Sequence, residues 1–283
     1  MTGTGPAVRE RTVAAAGVDL HVLEAGEGFP VVLAHGFPEL AYSWRHQIPA
    51  LAAAGYRVLA PDQRGYGRSD RPAAVEDYDI THLTGDLLAL LDDVGAERGV
   101  FVGHDWGAIV VWALALLAPE RVAGVVGMSV PFVPRPERPP IERLREIFTG
   151  AFFYMLYFQE PGVADAELGA DPERTMRRLL AAQPGDGDGD LARFFADDGR
   201  GFVERLPEPS GMPDWLRREE LDHYVAEFTR TGFTGGINWY RNFHRNWERT
   251  PELLGKGIDL PSGFVAGAED PVLRMTNPAG MGA

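Results

Sequence analysis

Gly103-His104-Asp105-Trp106-Gly107 separates the apolar run Gly99-Val100-Phe101-Val102 from the helix-like Ala108-Ile109-Val110-Val111-Trp112-Ala113-Leu114-Ala115. A strand that feeds a helix through a tight turn flanked by glycines presents the residue at the apex as a nucleophile. Serine at such an apex forms an acyl-enzyme from an ester or amide. The carboxylate of Asp105 suits displacement at saturated carbon instead, which leaves an alkyl ester on the side chain. Epoxides and alkyl halides are therefore the leading substrates. An aspartate before a helix can also simply cap it, but a cap requires neither Gly103 nor Gly107.

A second turn, His35-Gly36-Phe37-Pro38, follows the buried-looking Val31-Val32-Leu33-Ala34. Gly36 and Pro38 suit any tight turn. Beside the apex, the amides of Phe37 and Trp106 would point at a carboxyl oxygen of Asp105 and hold the oxyanion formed when water attacks the ester. One such donor is typically worth about 2.7 to 4 kcal/mol of transition-state stabilisation. His35 and Pro38 are candidates for lining the substrate pocket. The seven histidines are His21, His35, His46, His82, His104, His223 and His244. Strand alternation directs His104 to the side opposite Asp105, and the histidines outside these two turns fall in segments that read as surface.

The elements that must position these residues alternate. Strand-like runs at Arg11 to Ala16, Val18 to Glu24, Val31 to Ala34 and Tyr56 to Ala60 are followed by a helix from about Thr81 to Val94. The apex strand and helix come next, and then a strand from Val122 to Val130. Strands alternating with helices imply a parallel sheet. From Pro131 onward prolines, aromatic-rich helical stretches and acidic loops replace the alternation until Gly263-Phe264-Val265-Ala266-Gly267. That change of texture predicts a helical insertion over residues 132–249 of a core formed by 1–131 and 250–283. The loop from Asp62 to Ser69 is rich in glycine without the phosphate-binding pattern and reads as a structural turn.

The 283 residues are 45% hydrophobic and 24% charged, with a formal net charge of -14. So acidic a chain is a poor ligand for nucleic acid or an anionic membrane. The longest apolar run, Ala108 to Ala118, ends at Pro119, well short of the ~20 residues that span a bilayer. No secretory pattern opens the sequence, and there is no cysteine. A cytoplasmic location is the expectation, and a homodimer is left open. Gly185-Asp186-Gly187-Asp188-Gly189-Asp190 resembles the start of a calcium loop, but Leu191 and Asp197 replace its required glycine and glutamate. An acidic loop without metal is the expectation.

Four segments then act together: HGFP at 35–38, HDWGA at 104–108, YFQEPG at 157–162 and NWYRN at 238–242. In type and order they resemble soluble epoxide hydrolases of the α/β-hydrolase superfamily, and the resemblance covers nearly the whole chain. It implies an α/β-hydrolase fold, with a mostly parallel sheet flanked by helices and a helical cap as the insertion. It implies no cofactor and no metal, and a small apolar epoxide and water as partners. Two cap tyrosines that activate the epoxide oxygen correspond to Tyr154 and Tyr240. Tyr157 shares a helical face with Tyr154, so spacing by itself leaves either open. A phenol of pKa near 10 can bind the opening alkoxide and hand over its proton, a contribution of about 10²- to 10⁴-fold.

Asp270 matches the carboxylate that orients the family's general-base histidine, with Glu269 as its neighbour and a simple turn before Pro271 as the ordinary use. Trp239 is a candidate for the pocket wall, and Phe152, Phe153, Tyr157 and Phe158 serve equally as pocket or cap core. The resemblance places the base beyond a further strand, and no histidine follows Asp270. The expectation is thus a shortened form, its last strand and helix absent, in which Asp105 is alkylated and the ester released slowly. Two rival activities remain. A haloalkane dehalogenase would need the aspartate but not the phenols, and a non-catalytic homologue would bind an apolar ligand reversibly.

Overall fold

The computed structural model describes residues 6–183, 186, 194–270, 272–275 and 281. The chain divides into two compact units, Met1–Glu137 with Arg245–Ala283, and Arg138–His244.

In the first unit a hairpin of β1 (Arg9–Ala15) and β2 (Val18–Ala25) turns at Gly17, whose φ of 79° favours a residue without a side chain. The strands β3 (Phe29–Ala34), β4 (Tyr56–Pro61), β5 (Gly99–His104), β6 (Val122–Met128) and β7 (Ser262–Val265) complete a seven-stranded sheet in the order β1-β2-β4-β3-β5-β6-β7. The pairings of β2 with β1 and β4 are antiparallel, and the others are parallel. The helices α1 (Gln47–Ala53), α2 (Ile80–Asp93) and α3 (Trp106–Leu117) connect them. Parallel strands covered on both faces are apolar throughout, and Val31, Val32, Leu33 and Ala34 are accordingly all buried. Helix α3 is apolar around its circumference, as a buried helix must be, with Val110, Val111 and Leu114 fully enclosed.

The connection from β3 runs to β4 on one side, and the next strand, β5, lies on β3's other side. Such a reversal opens a crevice at the carboxyl ends of the two strands. The turn at 35–38 follows β3 and the Asp105 turn follows β5, so both candidate turns meet at that crevice.

Some boundaries differ from the sequence reading for local reasons. A short 3-10 turn, Ala41–Trp44, separate from α1, follows the 35–38 turn. Strand β6 stops at Met128 because Ser129 takes a φ of 64° and donates its N–H to Val265 O at 3.0 Å. Strand β5 extends past the apolar run through His104.

Two buried carboxylates fix the loops. Asp62 accepts from Ala41 N, Arg68 N and His21 Nδ1 at 2.9, 3.0 and 2.9 Å, and at Gly67 a Cβ would fall 2.3 Å from its carboxyl oxygen. Asp79 caps α2 by accepting from Thr81 N and His82 N at 3.1 and 3.2 Å, and it receives Arg245 Nε at 2.9 Å.

The described part of the second unit is helical: α4 (Pro140–Ile147), α5 (Tyr154–Tyr157), α6 (Val163–Ala170), α7 (Pro172–Leu180), α8 (Phe202–Arg205), α9 (Arg218–Thr231) and α10 (Thr234–Arg241). Helix α11 (Phe243–Arg249) leads back to the first unit's sequence, and α12 (Val272–Met275) follows β7. The acidic run Gly185–Asp190 lies outside the described residues except for Asp186, which accepts from Gln183 N and Ser210 N at 2.7 and 3.1 Å. No helix among the described residues is long and apolar enough to cross a membrane.

Burial works against the charge of Asp79, but the donors from Thr81, Arg245 and His82 outweigh it and hold the carboxyl well below the usual range. A depressed folded-state pKa stabilises fully above the ordinary value and is lost as pH falls through the folded one. Asp79→Ala should therefore cost about 2 kcal/mol at neutral pH, with the gap to the parent narrowing only in strong acid. Urea denaturation across pH measures both. A cost below about 0.5 kcal/mol, the range of ordinary surface changes, would remove Asp79 from this role.

Candidate active site

The turn after β5 forces Asp105 to φ 53°, ψ -119°, outside the regions that side chains ordinarily occupy. Three glycines make room for it. A Cβ on Gly36 would lie 2.4 Å from Asp105 Cβ, one on Gly103 would meet Gly107 O at 2.1 Å, and one on Gly107 would meet Ala34 O at 2.1 Å. The backbone then leaves the bend in both directions through hydrogen bonds, Asp105 N to Met128 O at 3.2 Å and Ala108 N to Asp105 O at 3.0 Å. No side-chain capping bond is made by Asp105 to its helix. Its carboxylate instead accepts the N–H of Phe37 across the crevice, Oδ1 to N 2.8 Å.

Asp105 is half-buried. Burial pushes its carboxyl upward, opposed by the charge of His104 and by the amides of Phe37 and Trp106, with burial prevailing. The amides of Phe37 and Trp106 both act on this one carboxylate. Trp106 itself is buried, and Pro38, joined to Phe37 by a cis peptide bond, is also buried.

His35 is fully buried, with Tyr66 edge-on at 4.8 Å. Its Nε2 accepts from Gln63 N at 3.0 Å, which leaves Nδ1 to donate to Gly36 O at 2.9 Å. Burial holds the imidazole pKa down. Both ring nitrogens are used in bracing the turn.

His104 departs from the expectation of strand alternation. Because the backbone bends sharply at the next residue, its ring stays on the side of the 35–38 turn and bonds Glu39, Nδ1 to Oε2 2.8 Å. Glu39 also accepts the N–H of Gly36 at 3.3 Å. Burial disfavours the imidazolium, yet Glu39, with smaller contributions from Asp105 and Asp270, lifts its pKa to about 9. Burial likewise disfavours the Glu39 carboxylate, and His104 more than compensates. Sequence reasoning missed this pair. The available signal was an acidic residue two positions after Phe37, on the same turn as a proposed anion-binding amide. The expectation of surface placement also fails for His21, which is paired with buried Asp62, whereas His82 stays partly exposed while bonding Asp79.

Asp270 is half-buried and Glu269 exposed. One oxygen of Asp270 accepts Val272 N at 2.9 Å, opening α12, and the charge of Asp270 is felt at His104.

Within the second unit, Tyr154 and Tyr240 meet edge to face with ring centroids 5.9 Å apart, and each also packs against Phe158, at 5.7 and 5.0 Å. Tyr157 takes another direction. It joins Glu167, Arg174 and Glu204 around a cavity of about 310 Å³, and burial together with Glu167 pushes its phenol well above the ordinary value. The ring of Tyr154 lies against Tyr240, and that of Tyr157 against Phe152. Trp239 is fully buried. Among the described residues no cluster of histidine, aspartate or glutamate is arranged to hold a metal.

Residues 30–281 match the family profile described as the alpha/beta hydrolase fold. The chain is 64% identical over 270 residues to epoxide hydrolase A of Mycobacterium tuberculosis, covering 94% of this chain and 84% of that protein. It is 42% identical over 259 residues to the bifunctional epoxide hydrolase 2 of Mus musculus, covering 91% of this chain and 46% of that one, so it spans about half the mouse protein. Among solved structures it is similar to epoxide hydrolase A from Mycobacterium thermoresistibile, with a TM-score of 0.92, 60% identity and coverage of 96% and 86%.

Removal of the partner charge should expose what Glu39 does. The raised pKa of His104 means that the pair's stabilisation is complete below the unfolded value of about 6.5 and is lost as pH climbs through about 9. In Glu39→Gln, an NMR titration should find His104 well below 9, near its unperturbed value, and a curve unchanged from the parent would refute the pairing.

Proposed function

The chain belongs to the family of the α/β-hydrolase fold, and from that membership we propose that it is an epoxide hydrolase working through an alkyl ester on Asp105. The observation that carries this reading is a carboxylate, in place of a hydroxyl, at the apex of the strained turn, with Phe37 N–H 2.8 Å from Oδ1. Its relatives' names support the substrate class.

A carboxyl oxygen of Asp105 attacks one carbon of the three-membered ring. The new C–O bond forms as the epoxide C–O bond breaks, and the departing oxygen takes a proton from the phenol of Tyr154 or Tyr240. Water then adds to the ester carbonyl carbon and gives up one proton, which restores the phenol that was spent in ring opening. The resulting oxyanion is held by the N–H groups of Phe37 and Trp106, and its collapse breaks the carbonyl carbon's bond to the substrate oxygen, which takes the water's other proton, so that the carboxylate returns and a vicinal diol is released. The amides act in both halves of the cycle: they keep Asp105 charged for attack and stabilise the tetrahedral centre. Asp270 stands where a carboxylate would orient a general-base imidazole during hydrolysis. The His104 imidazolium, sustained by Glu39, opposes the burial that disfavours the charge of the nucleophile.

Intact-mass analysis after mixing with an aryl epoxide should show a covalent species heavier by one substrate, with the added mass on the peptide containing Asp105. Asp105→Asn should show none at early times. Ligand binding without any covalent species and without diol would favour a non-catalytic homologue.

The dehalogenase alternative separates on the phenols, since a halide leaves without a proton. Tyr154→Phe combined with Tyr240→Phe should slow epoxide opening by about 10² to 10⁴. A retained rate, measured as formation of the ester, would favour the halide chemistry.

A further inference from the structure

The two candidate proton donors lie 86 residues apart in sequence and must deliver their hydroxyls to a single oxygen atom. Their rings meet through contacts that are soft: aromatic edges at 5.0 to 5.9 Å. Short α5 carries Tyr154, and a helix of four residues offers little rigidity of its own. Something else must set the spacing.

Two polar side chains bridge the segments in opposite directions. Gln159, just beyond α5, donates through Nε2 to Met155 O at 2.8 Å and to Tyr240 O at 3.0 Å. It therefore links the segment of Tyr154 to the carbonyl of Tyr240 itself. Arg241, adjacent to Tyr240, reaches back. Its Nε donates to Phe158 O at 3.1 Å and its Nη2 to Glu160 O at 3.2 Å, while Asp165 neutralises it at 2.5 Å. Only 7% of the Arg241 side chain is exposed. Phe158, whose carbonyl Arg241 holds, is the ring that touches both tyrosines.

We propose that Gln159 and Arg241 are positioning residues that fix the separation of the Tyr154 and Tyr240 phenols, and thereby the rate at which the epoxide oxygen is protonated. The proposal rests on the reading of these tyrosines as proton donors. Neither Gln159 nor Arg241 has any part in the chemistry itself. All of the donors of Gln159 and most of those of Arg241 go to backbone carbonyls or to Asp165, so their effect passes through the position of the rings. Displacement of a catalytic group by about 1 Å can cost on the order of 10²-fold in rate.

The test is a double-mutant cycle on the rate of ester formation, followed by intact mass in a single turnover with an aryl epoxide. Gln159→Met keeps the length of the side chain and removes both donors. It should slow ester formation by about 10-fold or more, with substrate affinity and thermal midpoint little changed. Placed on Tyr240→Phe, which retains Tyr154 as a donor, the same change should cost less than about 2-fold, because the hydroxyl it positions is gone. An equal slowing in both backgrounds would show a merely structural role and overturn the proposal. So would a normal rate in Gln159→Met when Tyr240→Phe is slow. Should Tyr240→Phe itself react at the parental rate, the assignment of Tyr240 as donor fails first. Arg241→Lys, which keeps the charge facing Asp165 but loses the fork, enters the same cycle if Gln159→Met does not fold.

Discussion

A carboxylate stands clear of the end of β5 only because the backbone beneath it is bent into a conformation that costs of order 1–3 kcal/mol and is held there by its surroundings. The bend at Asp105 brings Gly36, Gly103 and Gly107 so close to neighbouring backbone that a methyl group at any of them would overlap an atom at 2.1 to 2.4 Å. Removal of those glycines would move the nucleophile, the Phe37 amide and the first turn of α3 together. The sheet order matters for the same reason. It places β3 beside β5, so the turn that follows one can aim an amide at the side chain that follows the other.

The electrostatics of the site are a contest between burial and donors. Burial raises the Asp105 carboxyl, as it must for a charge removed from water, while His104 and two backbone amides pull the other way. The imidazolium needed for that pull is itself partly buried, and it persists because Glu39 lies 2.8 Å from Nδ1. Glu39 in turn grips the Gly36 amide. One ion pair therefore braces the donor turn and supplies the positive charge beside the nucleophile. His35 braces the same turn as a neutral ring, its two nitrogens spent on Gln63 and Gly36.

In the second unit the same division between soft and directional contacts recurs. Aromatic edges bring Tyr154, Phe158 and Tyr240 into one cluster, and hydrogen bonds from Gln159 and Arg241 to main-chain carbonyls fix how the cluster is assembled. Edge-to-face contacts contribute about 0.5–1.5 kcal/mol each and tolerate sliding. Donors aimed at carbonyl oxygens do not.

Local order alone was sufficient for much of this protein. The glycine spacing around Asp105, the apolar strand before it and the apolar helix after it specified the turn, since backbone strain and strand-to-helix geometry are properties of a few consecutive residues. Four motifs in order specified the fold family. Alternation failed at His104 because the period of a strand does not survive a sharp bend in the next residue. Spacing could not choose between Tyr154 and Tyr157, which share a helical face until Tyr240 and Glu167 claim one each. Nor could it show that Arg245 would reach Asp79 across 166 positions, or that Gln159 would find the carbonyl of Tyr240. Those pairings are between residues distant in the chain, and only folding makes them neighbours.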